Sequence, residues 1–399
     1  MNFVFISPQF PTHYWKFCDR LKKNGVNVLG IGDTPFDELH EELKNSLTEY
    51  YFAADLQNYD EVFKAVAFFS FKYGKIDWIE SNNEFWLETD AKLRTDFHVT
   101  TGEQIENIKR IKNKSEMKKY YALAKIPTAR LHKITSIDAA QHFIDKVGYP
   151  VIVKPDVGVG ANDTYKLSNN EELKDFFDEH IDVPYVMEEF VTGDTHSYDA
   201  IIDSNSEPLF ESTSVWSSAL SMILQQVEVS IYTEDSVPEQ LRAYGRAAVK
   251  AFGVKNRFVH LEFFQLTKAK KGLGEVGDFV GLEVNMRPAG GYITEMMNVA
   301  NDTDVYQIWA DMVTYDERKL PDSGKRCWCA FSARRDSQKY FHTHEEILTR
   351  YGADMIMCDR MPESMAAAMG NQMYIVKAAD KAAVDEFINF VQEKSLPKK

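Results

Sequence analysis

Apolar positions in the first hundred residues fall into short runs separated by amphipathic stretches. Asn2–Ser7, Val26–Ile31 and Ile76–Ser81 are runs of strand length. His13–Asn24 sets Trp15, Cys18 and Leu21 at helical spacing, and Tyr59–Tyr73 is helical too. Strands alternating with helices, punctuated by Gly25, predict a parallel sheet with flanking helices. The turn after the first strand, Ser7-Pro8-Gln9-Phe10-Pro11, has none of the glycines of a dinucleotide fingerprint.

Further on, Glu103–Ala124 reads as a helical stretch stopped at Ile126-Pro127. Within it Asn113 is an expected N-cap, with Glu116 three residues later. Then come helix Ile137–Val147, strand Tyr149–Pro155, a glycine-dotted loop, helix Asn170–Glu179 and strand Tyr185–Val191. Ser197–Asp203, Leu209–Val215 and Gln225–Tyr232 read as antiparallel strands, followed by helix Val237–Phe252. Beyond Gly324, strand Cys327–Ala333, helix Thr343–Tyr351, strand Gln372–Ala378 and helix Lys381–Gln392 predict a small α+β closing unit.

Two acids interrupt consecutive apolar strands, in Val259-His260-Leu261-Glu262-Phe263-Phe264 and Val280-Gly281-Leu282-Glu283-Val284-Asn285-Met286-Arg287-Pro288. The polar turn 268–278 between them predicts a hairpin. Alternation places Glu283 and Asn285 on one face. If Glu262 lies opposite, two carboxylates converge, and like charges opposed in a sheet destabilise it. A divalent cation relieves that repulsion, and two carboxylates with one amide suit Mg²⁺. Two glutamates on a half-exposed sheet is the competing reading.

Composition narrows the classes. The chain has 399 residues, a formal net charge of −15, 44% hydrophobic and 13% aromatic residues. That length predicts two or three domains with a sizeable core. The negative charge, with no block of Lys and Arg, argues against nucleic acid as a partner. No run of eighteen apolar residues occurs, and the N-terminus lacks the basic segment of a signal peptide. Four cysteines are too few for a disulfide framework, and a cytoplasmic location is expected.

Lys154 leaves an apolar strand beside Asp156-Val157-Gly158-Val159-Gly160-Ala161-Asn162-Asp163. This fits a phosphate clamp, because glycines let backbone N–H groups approach the oxygens; a hairpin turn with a snorkelling lysine fits as well. Tyr185-Val-Met-Glu188-Glu189-Phe190-Val191-Thr192-Gly193-Asp194 offers main-chain groups to a flat heterocycle, or is a strand end with solvated acids. Asn82-Asn83-Glu84 ends a parallel strand, where open α/β sheets place ligands, making Glu84 a substrate-side candidate. Cys327-Trp-Cys329 with His342-Thr-His344 matches structural zinc spacing poorly, so core cysteines are expected. His196, His260, Arg334-Arg335, Trp216 and Tyr292 are further candidates near a pocket.

The order of these segments resembles the ATP-grasp superfamily, and within it the carboxylate–amine ligases. It starts with Lys114 at a helix start and runs through Gly-Tyr-Pro-Val-Ile-Val-Lys154-Pro, the glycine loop and Val-Met-Glu-Glu-Phe-Val-Thr-Gly. It ends with His-Leu-Glu-Phe-Phe and Glu-Val-Asn-Met-Arg-Pro. The resemblance implies an α/β fold with α+β parts: an N-terminal parallel pre-grasp domain (1–102), a small ATP-grasp subdomain with its linker helix (103–192), a larger antiparallel-sheet subdomain with the Mg/phosphate site (193–320) and the closing unit (321–399). It implies ATP with Mg²⁺, or Mn²⁺ in its place. Lys114 and Lys154 would hold the phosphates under a loop containing Gly158 and Gly160. Glu188, Glu189 and Val191 would form the adenine hinge. Glu262, Glu283 and Asn285 would ligate the metal, and Arg287, with Lys154, would serve the phosphoryl transfer. Thr195 stands where many members carry a glutamate, leaving Asp194 as the ribose candidate. On the substrate side stand Glu84, His260 and Arg334.

The reaction implied is activation of a small carboxylate as an acyl phosphate, its capture by an amine such as an amino acid, and release of ADP and phosphate. The alternatives are a bicarbonate-activating enzyme of the carboxylase or carbamoyl-phosphate type, and a nucleotide-binding regulatory protein without turnover. Small molecules are the expected partners, with a homodimer as the expected assembly.

Overall fold

The computed structural model describes residues 1–158, 163–179, 184–216 and 228–395. Gly160 and positions 225–227 of an expected strand lie outside the described residues.

At the N-terminus β1 (Asn2–Ile6), β2 (Asn27–Gly32), β3 (Glu49–Phe52) and β4 (Trp78–Glu80) form a parallel sheet in the order β3-β2-β1-β4. β1 reads as a continuous apolar run because both its faces are covered: Phe3 and Phe5 enter one core, Val4 and Ile6 another. β3 gives no such signal, since its Glu-Tyr-Tyr-Phe lies partly exposed at the sheet edge. The strand order reverses between β1 and β4. There the chain leaves through Ser7 and Asn82, each at φ 55°, and the Tyr14 hydroxyl donates to the Asn82 carbonyl at 2.8 Å.

The expected helix 103–124 is broken into Lys109–Lys112 and Lys114–Leu123, with extended Asn113 between them. Asn113 occupies the N-cap position but makes no capping bond with its side chain. Asp156, from the strand end leading into the glycine loop, caps instead: its carboxylate accepts from the Ser115 amide and hydroxyl, both at 2.8 Å, and its carbonyl from the Lys114 amide at 2.9 Å. A buried carboxylate at a helix N-terminus also suits the helix dipole.

β5 (Leu131–Lys133), β6 (Val151–Pro155), β7 (Tyr165–Leu167) and β8 (Tyr185–Glu189) make a small antiparallel sheet in the order β5-β8-β6-β7. Helices Ile137–Val147 and Asn170–Glu179 cover it, their Ile144 and Phe176 sharing one core with Met187 of β8.

The third sheet contains β9 (Gly193–Ile202), β10 (Pro208–Ser212), β11 (Ser214–Trp216), β12 (Ser230–Thr233), β13 (Arg257–Leu266), β14 (Phe279–Asn285), β15 (Trp328–Arg334), β16 (Met355–Arg360) and β17 (Gln372–Ala378). Its order is β14-β13-β9-β11-β12-β15-β17-β16, with β10 beside β9. The strands after residue 320 therefore continue this sheet through the β12–β15 pairing and do not form a sheet of their own.

Helix Val305–Tyr315 is apolar nearly all round because it is wedged between the first and third sheets. Its fully buried Trp309 meets Phe17 and Phe3 edge-on at 4.9 and 5.7 Å. Across the same boundary, buried Glu80 on β4 pairs with Arg94 at 2.9 Å and with Arg257 on β13. No described helix is long and apolar enough to cross a membrane.

Candidate active site

The β13–β14 hairpin sets Glu262 directly opposite Glu283 and His260 opposite Asn285, and on its other side β13 sets His260 opposite Asp199 of β9. The carboxylates thus face each other across the ladder. Protein groups relieve the repulsion. Lys114 Nζ lies 3.3 Å from Glu283 Oε1. Glu262 Oε1 faces both His260 Nε2 and Asn285 Nδ2 at 3.4 Å. Burial works against protonated His260, but Asp199, 2.7 Å from its Nδ1, and Glu262 hold its pKa at about 9. Burial pushes the Glu262 carboxyl up, and His260 overcomes this to hold it below the usual range.

The hairpin is fixed from behind by Tyr121, whose hydroxyl donates to the Glu283 carbonyl at 3.1 Å. A Cβ at Gly281 would lie 2.9 Å from the Tyr121 ring, so the strand approaches the helix this closely only through a glycine.

The opposite wall comes from the small sheet. Lys154 on β6 and buried Glu188 on β8 are neighbours, with Nζ 2.7 Å from Oε2; Lys118 reaches the other carboxylate oxygen, also at 2.7 Å. Burial opposes the Glu188 charge, yet the two ammonium groups hold its pKa at about 2. Lys118 is not among the residues that the family resemblance implies. Its signal was the four-residue spacing from Lys114, which puts both on one helix face.

Glu189 points the other way, to Arg130 at 2.7 Å and Lys270 at 3.4 Å. The acids of the expected hinge are therefore committed to protein cations, and Phe190 and Val191 line the cleft beside them. Lys270 also donates to the Phe190 carbonyl.

At the far end Arg287 donates to the Pro288 carbonyl at 2.8 Å and sits 3.6 Å from Glu84, itself 3.7 Å from Lys112. Burial pushes the Glu84 carboxyl up, while Arg287 and Lys112 pull it down less strongly. Glu84 thus links the end of β4 to the end of β14, at the crevice where the first sheet reverses order.

Other expected residues fall elsewhere. Thr195 lines the cleft, so alternation turns exposed Asp194 to the opposite face, away from any ribose in the cleft. His196 shares that opposite face, edge-on to Phe279 at 5.2 Å. Arg334 spends its guanidinium on the carbonyls of Val391 at 2.6 Å and His342 at 2.8 Å and does not line the cleft. Tyr292 packs against His13 in the core, whereas Trp216 lines the cleft and stacks on His260 at 5.8 Å. Cys329 is buried, and His342 stacks on Phe390 at 3.5 Å. Gly158 lies exposed where the described chain stops before the loop.

The three walls enclose a cleft of about 220 Å³ between the small sheet and the β13–β14 hairpin. A lysine-bearing sheet thus faces paired acids on a larger sheet. The family model of the ATP-grasp domain matches residues 111–252. That stretch holds Lys114, Lys154 and Glu188, whereas Glu262, Glu283 and Asn285 lie beyond it.

Among its relatives is the L-arginine-specific L-amino acid ligase of Bacillus subtilis, 22% identical over 298 residues, which is 71% of this chain and 70% of that protein. The crystal structure of an L-amino acid ligase from Bacillus licheniformis superposes with a TM-score of 0.69 at 12% identity, covering 97% of this chain and 96% of that one. The biotin carboxylase domain of 2-oxoglutarate carboxylase from Hydrogenobacter thermophilus, solved with MgADP and bicarbonate, gives 0.68 at 14% identity, covering 98% and 90%. These likenesses establish a shared fold.

Proposed function

We propose that this chain is an ATP-dependent ligase that activates a small carboxylate as an acyl phosphate and joins it to an amine, with an amino acid as the amine. One observation carries the reading. Lys154 stands across a single cleft from register-paired Glu262 and Glu283, and Lys114, paired with Glu283, and Arg287 line the same cleft. The naming of two relatives as L-amino acid ligases supports the choice of amine.

Each residue then has a task. Lys114 and Lys154 hold the nucleotide phosphates as point charges. The main chain at 189–191 meets adenine, with Val191 against it. Arg287 steadies the acyl carboxylate and the phosphoryl group in transfer, and Glu84 faces the bound substrates.

No three His, Cys, Asp or Glu side chains are arranged to hold a metal among the described residues. Two carboxylates and one amide nevertheless fit Mg²⁺, which takes its remaining oxygens from phosphate and water. Bound to Glu262, Glu283 and Asn285, Mg²⁺ (or Mn²⁺) would neutralise phosphate charge. A substrate carboxylate oxygen attacks the γ-phosphorus as ADP leaves. The amine nitrogen then attacks the acyl carbon, phosphate departs, and the amine loses a proton. Shielding the cleft from water protects the intermediate.

Residues 1–102, 103–192, 193–320 and 321–399 would act as the pre-grasp, small, large and closing units. Release of ADP and phosphate, measured with pairs of amino acids and with organic acids plus amines, tests the reading, with the condensed product identified by mass. ATP binding without ADP release across the whole panel would favour a regulatory protein instead.

A further inference from the structure

Glu188 is buried, yet it faces two ammonium groups, one on each carboxylate oxygen. The two lysines are not equivalent. Lys154 lines the cleft with Glu188, whereas Lys118 approaches the carboxylate from the linker helix and does not line the cleft. One buried carboxylate needs one counter-charge, so the second lysine is in excess until something in the cleft claims it. Triphosphate is such a claimant: it would draw Lys154 off Glu188. Without a second partner that exchange would strand a buried negative charge, which is far costlier than never having formed the pair.

We propose that Lys118 is a positioning residue that remains on Glu188 as its standing counter-ion, freeing Lys154 to move onto the nucleotide phosphates. This rests on the reading that the cleft binds ATP through Lys154. It accounts for a residue outside the set implied by the family resemblance. It also accounts for the arrangement on helix Lys114–Leu123, which lays Lys114 on Glu283 and, one turn on, Lys118 on Glu188.

A double-mutant cycle on the full chain tests it, read as MgATP and MgADP affinity by calorimetry alongside KM and kcat. In Lys118→Met the only charged partner left to Glu188 among the described residues is Lys154, which is then held away from phosphate. Nucleotide affinity should fall at least about tenfold, with KM for ATP rising and kcat at saturation changing much less. In a Glu188→Gln background no carboxylate remains to hold Lys154, so the same Lys118→Met change should cost less than about threefold. Lys118→Arg, which keeps the counter-charge, should stay within about threefold of the wild type. Lys118→Gln runs in parallel, so that a folding failure of the methionine variant still leaves a closed cycle.

An equal loss in both backgrounds would mean that Lys118 contacts the nucleotide itself or acts only on the fold, and would overturn the proposal. So would unchanged affinity in Lys118→Met. A wild-type chain that binds no nucleotide would instead sink the reading of the cleft on which this inference rests.

Discussion

Replacing Glu283 by glutamine removes one of two opposed negative charges while keeping shape and hydrogen-bonding capacity, so its effects on folding and on function should separate. The register pairing with Glu262 puts the two Cβ atoms roughly 5 Å apart, and charges at that spacing would repel by about 3 kcal/mol at an effective dielectric of about 20. Lys114, 3.3 Å from Glu283, returns about 5 kcal/mol of attraction at the same dielectric. Losing both terms is net unfavourable by about 2 kcal/mol. A neutral amide, however, avoids several kcal/mol of the desolvation carried by a half-buried ion.

The folded state of Glu283→Gln should therefore lie within about 1–2 kcal/mol of the wild type, a shift of only a few degrees in thermal unfolding. Function should respond differently. Groups that merely orient metal ligands cost about 10–100-fold in metal affinity when removed, so a direct ligand should cost at least about a hundredfold. ADP titrated by calorimetry with and without Mg²⁺ checks this: Mg²⁺ should strengthen ADP binding to the wild type and hardly at all to the variant, and ADP release should disappear. A folded variant that keeps its Mg²⁺-dependent affinity within about threefold, and turns over, would refute the assignment of Glu283 to the metal.

Two further outcomes are expected. Arg287→Ala should lower kcat/KM through about 2–4 kcal/mol of lost transition-state stabilisation, read by coupled ADP release; a variant with wild-type kcat would remove Arg287 from the mechanism. Glu188, with a pKa of about 2 against an ordinary 4.5, should contribute about 3 kcal/mol of stability. A lowered carboxylate pKa means that this contribution is complete above pH 4.5 and is lost as pH falls towards 2. Urea unfolding across that window should show the loss in the wild type and a flatter profile in Glu188→Gln.

Much of this protein is legible in its sequence because the signals are local. The helix spans Tyr59–Tyr73, Ile137–Val147, Asn170–Glu179 and Lys381–Gln392 follow from periodicity and terminal residues alone. The acids of the hairpin stand out because charged residues inside apolar strands need a reason to be there. The chain alone also placed Lys114 at a helix start and Lys154 at a strand end.

Only the tertiary structure decided how these pieces meet. Register set Glu262 opposite Glu283, since a slip of one residue would have sent one of them to the other face. It turned Asp194 away and Thr195 inward by the same alternation. Edge pairing between β12 and β15 continued one sheet where the sequence suggested a separate unit. Asp156, forty-one positions beyond Ser115, supplied the cap that Asn113 was expected to give. Lys118 came onto Glu188 because a helix and a strand far apart in the chain pack together. A residue's neighbours along the chain fix its local conformation, but which charge it meets depends on packing between elements that the local pattern does not encode.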